Sequence, residues 1–168
     1  MISYRLLDYD APADAATLVE LLDGYARDPM GGGVPLAAGT RERLAGLLSA
    51  TPGAFSIVAE RAADGGGTDA VGLANCFTTV STFAALPLVN IHDLCVVERA
   101  RGRGIGRGLL QAVEDRARER GACKVTLEVL EGNLPARTAY ERFGFGGYTL
   151  DDTTGHALFW QKSLVRPD

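Results

Sequence analysis

Residues 101–108 read Arg-Gly-Arg-Gly-Ile-Gly-Arg-Gly, four glycines and three arginines in eight positions. That composition suits a loop that holds phosphates. Glycines let successive backbone N–H groups converge on an anion, a following helix N-terminus adds partial positive charge, and arginines add full charges. The dinucleotide pattern Gly-x-Gly-x-x-Gly begins at Gly102 and Gly104 but meets Arg107 where its third glycine belongs. A P-loop counted from Gly102 fails at the same residue and lacks the Lys-Ser/Thr pair. An arginine-rich solvated turn is the plain alternative. Just upstream, Asn90, His92 and Asp93 interrupt an apolar run, and polar groups in a buried strand need partners or a task. Asp93 suits the attraction of a cation and His92 the relay of a proton; structural burial with satisfied hydrogen bonds is the competing reading for each. Adjacent strand residues point to opposite faces, so at most one of the two is expected to face a given ligand.

The composition limits the range of functions. At 168 residues, the chain has the size of a single domain spanning 1–168 with a core of its own. A hydrophobic fraction of 46% with 23% charged residues is that of a soluble globular protein. No apolar run is long enough to cross a bilayer, and the first residues carry no signal-peptide pattern. The net charge of −4 gives no electrostatic case for nucleic acid, so the local arginine cluster reads as a site for one small polyanion. The three cysteines, Cys76, Cys95 and Cys123, sit in apolar runs without metal-ligand spacing. They read as small hydrophobes in a reducing, cytoplasmic setting, with no metal site.

The elements that must position these residues follow from periodicity and punctuation. An extended segment over 3–8 precedes a helix over 13–26, whose Leu18, Leu21, Leu22 and Tyr25 share one face. The stretch from Asp28 through three consecutive glycines reads as a mobile loop, and Thr40 as the N-cap of a helix over 41–49. Strands over 55–60 and 71–80 form a hairpin, and 88–97 is the longest apolar strand. A helix over 105–120 follows the glycine loop, stopped by Gly121, and 124–130 is a further strand; that strand, helix, strand order makes the two strands parallel. Asn133 caps a short helix through 142 that carries Ala136, Tyr140 and Phe143. A last hairpin pairs 148–150 with 157–164. The expected fold class is mixed α/β, or α+β: about four helices around a mostly antiparallel sheet of about six or seven strands containing one parallel pair.

Two segments, in order and suitably spaced, resemble the GNAT superfamily of N-acetyltransferases. The first is Leu94-x-Val96 with Arg101-x-x-Gly104-x-Gly106 and the leucine-rich helix behind it; the second is Leu127-Glu-Val with Asn133, Ala136, Tyr140 and Gly144-Phe145. Together they cover 88–145. The Ser81-Thr-Phe and His92-Asp-Leu stretches are similar to the branch that acetylates polyamines and other small amines, although an acidic residue usually stands where this chain has His92. The resemblance implies the acyl-CoA N-acyltransferase fold, with a splayed parallel pair, and acetyl-CoA as co-substrate. It also implies a homodimer and acetyl transfer to a primary amine of a small molecule in a ternary complex. A protein or peptide N-acetyltransferase and a non-catalytic acyl-CoA-binding module are the alternatives.

The same resemblance distributes the work. The pyrophosphate would rest on Arg101, Gly102, Arg103, Gly104, Ile105, Gly106, Arg107 and Gly108, with backbone N–H groups from Arg103 to Gly108 and the Arg101 and Arg103 side chains as donors. The strand before the loop would carry a bulge and splay from its neighbour, so that Leu94, Val96 and Val97 offer free backbone groups to pantetheine and to the oxyanion. Tyr140 would return a proton to the thiolate, against the alternative of a core tyrosine. Asn133 and Ala136 would meet the cofactor, with a plain helix cap as the other reading of Asn133. Asp28 and Met30, on a flexible lid, would join His92 and Asp93 on the acceptor side, one of the latter pair serving as base.

Overall fold

The computed structural model describes residues 1–63, 66–151, 153 and 155–164. Asp64 and Gly65 of the first hairpin's connection, and Asp152 and Thr154 of the last one's, lie outside the described residues. The elements in order are β1 (Ile2–Leu6), α1 (Pro12–Arg27), α2 (Ala38–Ala50), β2 (Ala54–Ala62), β3 (Thr68–Ser81), β4 (Leu86–Val96), α3 (Ile105–Glu119), β5 (Val125–Leu127) and α4 (Leu134–Phe143). The sheet order is β1-β2-β3-β4-β5, antiparallel throughout except for the parallel β4/β5 pair.

Alternating side chains give the sheet two apolar faces. On one, Phe55, Ile57, Val71, Val89 and Ile91 pack beneath Leu109, Leu110 and Val113 of α3, with Tyr140 and Phe143 of α4 at the margin. On the other, Val58, Leu73 and Cys95 meet Leu18 and Leu21 of α1 and Leu48 of α2. Burying both faces under helices is what makes the layered α/β arrangement stable. Helix α3 lies close enough to the sheet that a Cβ on Gly72 would sit 3.1 Å from Leu109 Cδ1. Among the described residues no helix is long and apolar enough to cross a membrane.

Three details differ from the sequence expectations. The sheet has five strands among the described residues rather than six or seven, because the last hairpin is reduced to one bridge, Thr149 to His156. Leu158, Phe159 and Trp160 are consecutive and exposed, and a run without two-residue alternation offers no single face to a sheet. Helix α2 starts at Ala38, so Thr40 falls in its first turn and the Ala37 cap has no side-chain bond. The start is fixed instead by Leu36 N–H, which donates to Asp23 Oδ1 at 2.9 Å. Strand β5 stops at Leu127 instead of running to 130, which opens the sheet edge described below.

Gly108 shows how tightly α3 is seated. A Cβ there would stand 1.9 Å from the Tyr4 hydroxyl and 2.2 Å from its Cζ, so the Tyr4 ring must swing away to admit any side chain. Gly108→Ala is expected to lower unfolding free energy by about 1–3 kcal/mol in urea titration, despite alanine's better helix propensity.

Candidate active site

The site begins where β4 loses its neighbour. Parallel pairing is limited to Val89 with Val125, Asn90 with Thr126 and Ile91 with Leu127, while β4 continues to Val96. In the same place β4 takes in an extra residue: Asn75 faces Asp93 and Cys76 faces Ile91, leaving His92 without an opposite number. Such a β-bulge reverses the phase of everything after it. Before the bulge, Val89 N–H points to β5 and donates to Lys124 O at 3.1 Å. After it, Val97 N–H points to β3 and donates to Val71 O at 3.0 Å. By alternation Leu94 and Val96 then present their backbone groups to the open edge. Of the three residues expected to offer free groups, Val97 is thus corrected: its N–H is already bonded.

The bulge also places the side chains. Leu94 and Val96 join the α3 face, as Val89 and Ile91 do, and Cys95 joins the α1 face. His92 and Asp93 both lie on the α1 side, against the expectation from simple alternation. The His92 ring packs edge-on against Phe77 at 4.8 Å and its Nδ1 bonds Asn90 Oδ1. Asp93 Oδ2 accepts from Asn75 Nδ2 at 3.1 Å. Asn90 Nδ2 also reaches Thr126 Oγ1 at 3.1 Å and Glu128 Oε1 at 3.2 Å, bridging the mouth of the splay.

The glycine loop brings the start of α3 to this edge. Gly102 and Gly104 have φ of 73° and 79°, a left-handed conformation that residues with a Cβ adopt at a cost. Gly106 sits over Val96 and Leu94, 3.9 and 4.0 Å from where its Cβ would be. As first-turn donors, the N–H groups of Ile105, Gly106 and Arg107 have no intrahelical acceptor. Gly108 is corrected: its N–H donates to Gly104 O at 3.0 Å, and its lack of a side chain serves Tyr4. Arg103 and Arg107 are exposed and make no ion pair among the described residues. Arg101 is otherwise engaged. Its Nε donates to Val96 O at 2.9 Å and its Nη2 to Asp28 Oδ2 at 2.7 Å.

Asp28 therefore ties the acceptor-side loop to the glycine loop. Its Oδ1 accepts from Met30 N at 2.9 Å, and its carbonyl accepts from Gly31 N at 2.8 Å and Gly33 N at 3.1 Å. The Arg101 guanidinium, then the Met30 N–H, hold the Asp28 carboxyl below its ordinary range. The stretch expected to be mobile is a hydrogen-bonded 3₁₀ turn, Pro29–Gly31. Gly31 permits it, since a Cβ would lie 2.0 Å from Tyr25 O. Both carboxylate oxygens of Asp28 have partners, and Met30 is exposed beside them.

Helix α4 supplies the remaining candidates. Asn133 is its N-cap, accepting from Ala136 N at 3.3 Å, and Gly144 closes it with φ of 107°. Tyr140 packs edge-on against Phe145 at 5.9 Å. Burial, followed by the charges of Tyr25 and Cys95, pushes the Tyr140 phenol up to about 12. Burial, followed by Asp93, likewise raises Tyr25. Tyr25 is thus within electrostatic reach of both Asp93 and Tyr140, linking two expected residues through one read only as part of an apolar helix face. Ser56 and Asn75, buried polar residues behind Asp93, were also missed. Each follows or precedes apolar neighbours in a strand, and only register reveals that they line up.

A family model described as the acetyltransferase (GNAT) family matches residues 18–145. Streptothricin acetyltransferase of Streptomyces lavendulae is 45% identical over 75 residues, 45% of this chain and 40% of that protein. The chain thus spans less than half the length of that relative. Among solved structures, an aminoglycoside acetyltransferase from an uncultured soil metagenomic sample, in complex with sisomicin, superposes with a TM-score of 0.69. It is 17% identical, with 96% of this chain and 97% of that one covered. A ribosomal-protein-alanine N-acetyltransferase from Brucella melitensis has a TM-score of 0.64 at 22% identity, covering 99% of each chain.

The two bonds of Asp28 can be separated. Asp28→Asn keeps an acceptor for Met30 N but loses the ion pair, and is expected to cost under about 1 kcal/mol. Asp28→Ala loses both and is expected to cost about 1–2 kcal/mol. Urea titration of the two variants checks the ranking.

Proposed function

The chain belongs to the acetyltransferase (GNAT) family, and from that premise we propose that it transfers the acetyl group of acetyl-CoA to a primary amine of a small molecule, by direct attack in a ternary complex. The observation that carries this reading is the meeting of three features at one sheet edge. They are the β4 N–H groups of Leu94 and Val96, turned by alternation to the open edge, the first-turn N–H groups of α3, and Asp93 on the bulge with Tyr25 and Tyr140 within electrostatic reach. The residues fit the donor. A diphosphate needs converging N–H donors and cationic side chains, and Ile105, Gly106, Arg107 and Arg103 provide them without having to break an existing bond. Arg101 joins them only by exchanging Asp28 for the anion.

Acetyl-CoA supplies the activated acyl carbon. The chain's own groups do the rest. Asp93, with His92 beside it on the bulge, attracts the ammonium and accepts its proton directly or through water, giving the neutral nucleophile. As the nitrogen–carbon bond forms, an N–H of Leu94 or Val96 faces the developing oxyanion from a strand held on its other side by β3. As the carbon–sulfur bond breaks, the nitrogen sheds its remaining extra proton to water and the Tyr140 O–H delivers a proton to the thiolate, the phenolate then being reprotonated from water. Asn133 serves this site through α4, whose start it caps.

A small-molecule acceptor is supported by the streptothricin acetyltransferase relative and by two carboxylates suited to an ammonium near this edge, Asp93 bonded to Asn75 and Glu128 bonded to Asn90. A cytoplasmic homodimer belongs to the same reading, with Cys76 and Cys95 as buried free thiols.

Thiol release from acetyl-CoA, measured against streptothricin, aminoglycosides, polyamines, amino acids and short peptides, tests the function. Turnover of small amines above peptides is expected; tight CoA binding with no turnover in any class would make the chain a binding module. Tyr140→Phe is expected to lower kcat about 10²-fold with acetyl-CoA affinity retained. Because the raised phenol keeps its proton, the rate should rise with pH as the amine deprotonates, and show no descending limb below about pH 10. A limb near neutrality would remove Tyr140 as the acid.

A further inference from the structure

Behind Asp93, three adjacent strands and the segment after β1 carry one line of polar side chains. Tyr9 OH and Ser56 Oγ are 2.7 Å apart, Ser56 Oγ donates to Asn75 Oδ1 at 2.6 Å, and Asn75 Nδ2 donates to Asp93 Oδ2 at 3.1 Å. The register makes the line: Ser56 is opposite Asn75, and Asn75 opposite Asp93. Without the bulge at His92, Asp93 would leave this face.

Its direction is determined. Ser56 has one hydroxyl hydrogen, which goes to Asn75 Oδ1, so Tyr9 must be the donor to Ser56. With its oxygen so occupied, the Asn75 amide can turn only its NH₂ toward Asp93, where it meets an acceptor. The line therefore runs Tyr9 to Ser56 to Asn75 to carboxylate, with every hydrogen pointing toward Asp93. Ser56 is fully buried and Asn75 3% exposed, and buried polar side chains add little to stability over well-packed apolar ones. The ladder ends on a half-buried carboxylate whose other oxygen, Oδ1, has no partner among the described residues.

We propose that Ser56 and Asn75, oriented by Tyr9, are positioning residues for the acceptor amine: they fix Asp93 through Oδ2 and so aim Oδ1 into the cleft. Asn75 cannot pass a proton along, since its amide only donates at one end and accepts at the other, so the ladder orients Asp93 and does not drain its proton. This rests on the role given to Asp93 above. It adds that the sheet interior, not the cleft wall, sets how well the amine is held.

The test is a cycle of variants assayed with the panel amine that is turned over fastest. Asp93→Ala tests the underlying reading and is expected to lower kcat/KM for the amine by about 10²-fold. Ser56→Ala is expected to lower the same constant about tenfold, mainly through the amine's KM, while KM for acetyl-CoA stays at the wild-type value. Tyr9→Phe, which removes one donor without a cavity, is expected to give about a threefold loss and keeps the test available if Ser56→Ala does not fold. In the Asp93→Ala background, Ser56→Ala should have no further effect. Wild-type amine kinetics in both ladder variants beside a damaged Asp93→Ala would overturn the ladder and leave the role of Asp93 standing. Additive losses, or equal losses toward amine and acetyl-CoA, would reduce the ladder to a structural element. Wild-type kinetics in Asp93→Ala, or no turnover of any amine, would overturn the reading beneath it and the ladder with it.

Discussion

One extra residue in β4 decides the geometry of this protein. His92 enters the strand just where the pairing with β5 ends, and the strand beyond it runs in opposite phase. That shift turns the backbone of Leu94 and Val96 outward, keeps their side chains on the apolar α3 face, and moves Asp93 to the α1 face beside Asn75. An unbulged strand would give up at least one of these. The bulge alone would leave dangling polar groups at a sheet edge, which proteins cover or use. Here the short β5 and the start of α3 flank the gap, and the chemistry proposed above fills it.

The second dependence is between the two halves of the cleft. Arg101 belongs to the glycine loop, and its guanidinium holds both Val96 O and the Asp28 carboxylate. Asp28 in turn organises the turn after α1 through Met30, Gly31 and Gly33. The pair is partly exposed, so its contribution to stability is small; its effect is on geometry. The loop expected to swing freely over the acceptor is instead held to the loop expected to bind the donor.

Much of this was readable from the residues. Gly102, Gly104, Gly121 and Gly144 all take the left-handed conformations that their positions around helices demand, and Asn133 caps α4 as its type suggests. The helix faces came from spacing, and the parallel pair from the strand, helix, strand order. What was not readable arose from register and from close approach. The resemblance implies a bulge in this strand, but no residue signature gives its position at His92, so His92 and Asp93 were assigned to opposite faces and Val97 to the free edge. Gly108 looks like its loop neighbours in sequence, yet its task is to admit Tyr4. Ser56, Asn75 and Tyr9 are far apart in the chain, and only strand pairing makes them a line. The final hairpin is reduced to one bridge among the described residues, because 158–160 is apolar throughout and lacks alternation.

The central claim is that the phase set by the bulge, together with the first turn of α3, makes the donor site. Amide hydrogen exchange followed residue by residue, with and without saturating CoA, tests it most directly. CoA should slow exchange at Leu94 or Val96 and at Ile105, Gly106 and Arg107, while Val97 and Gly108, whose N–H groups already have acceptors in the chain, stay as they were. Protection that appears at Val97 and Gly108 and bypasses Val96 and Gly106 would contradict the account.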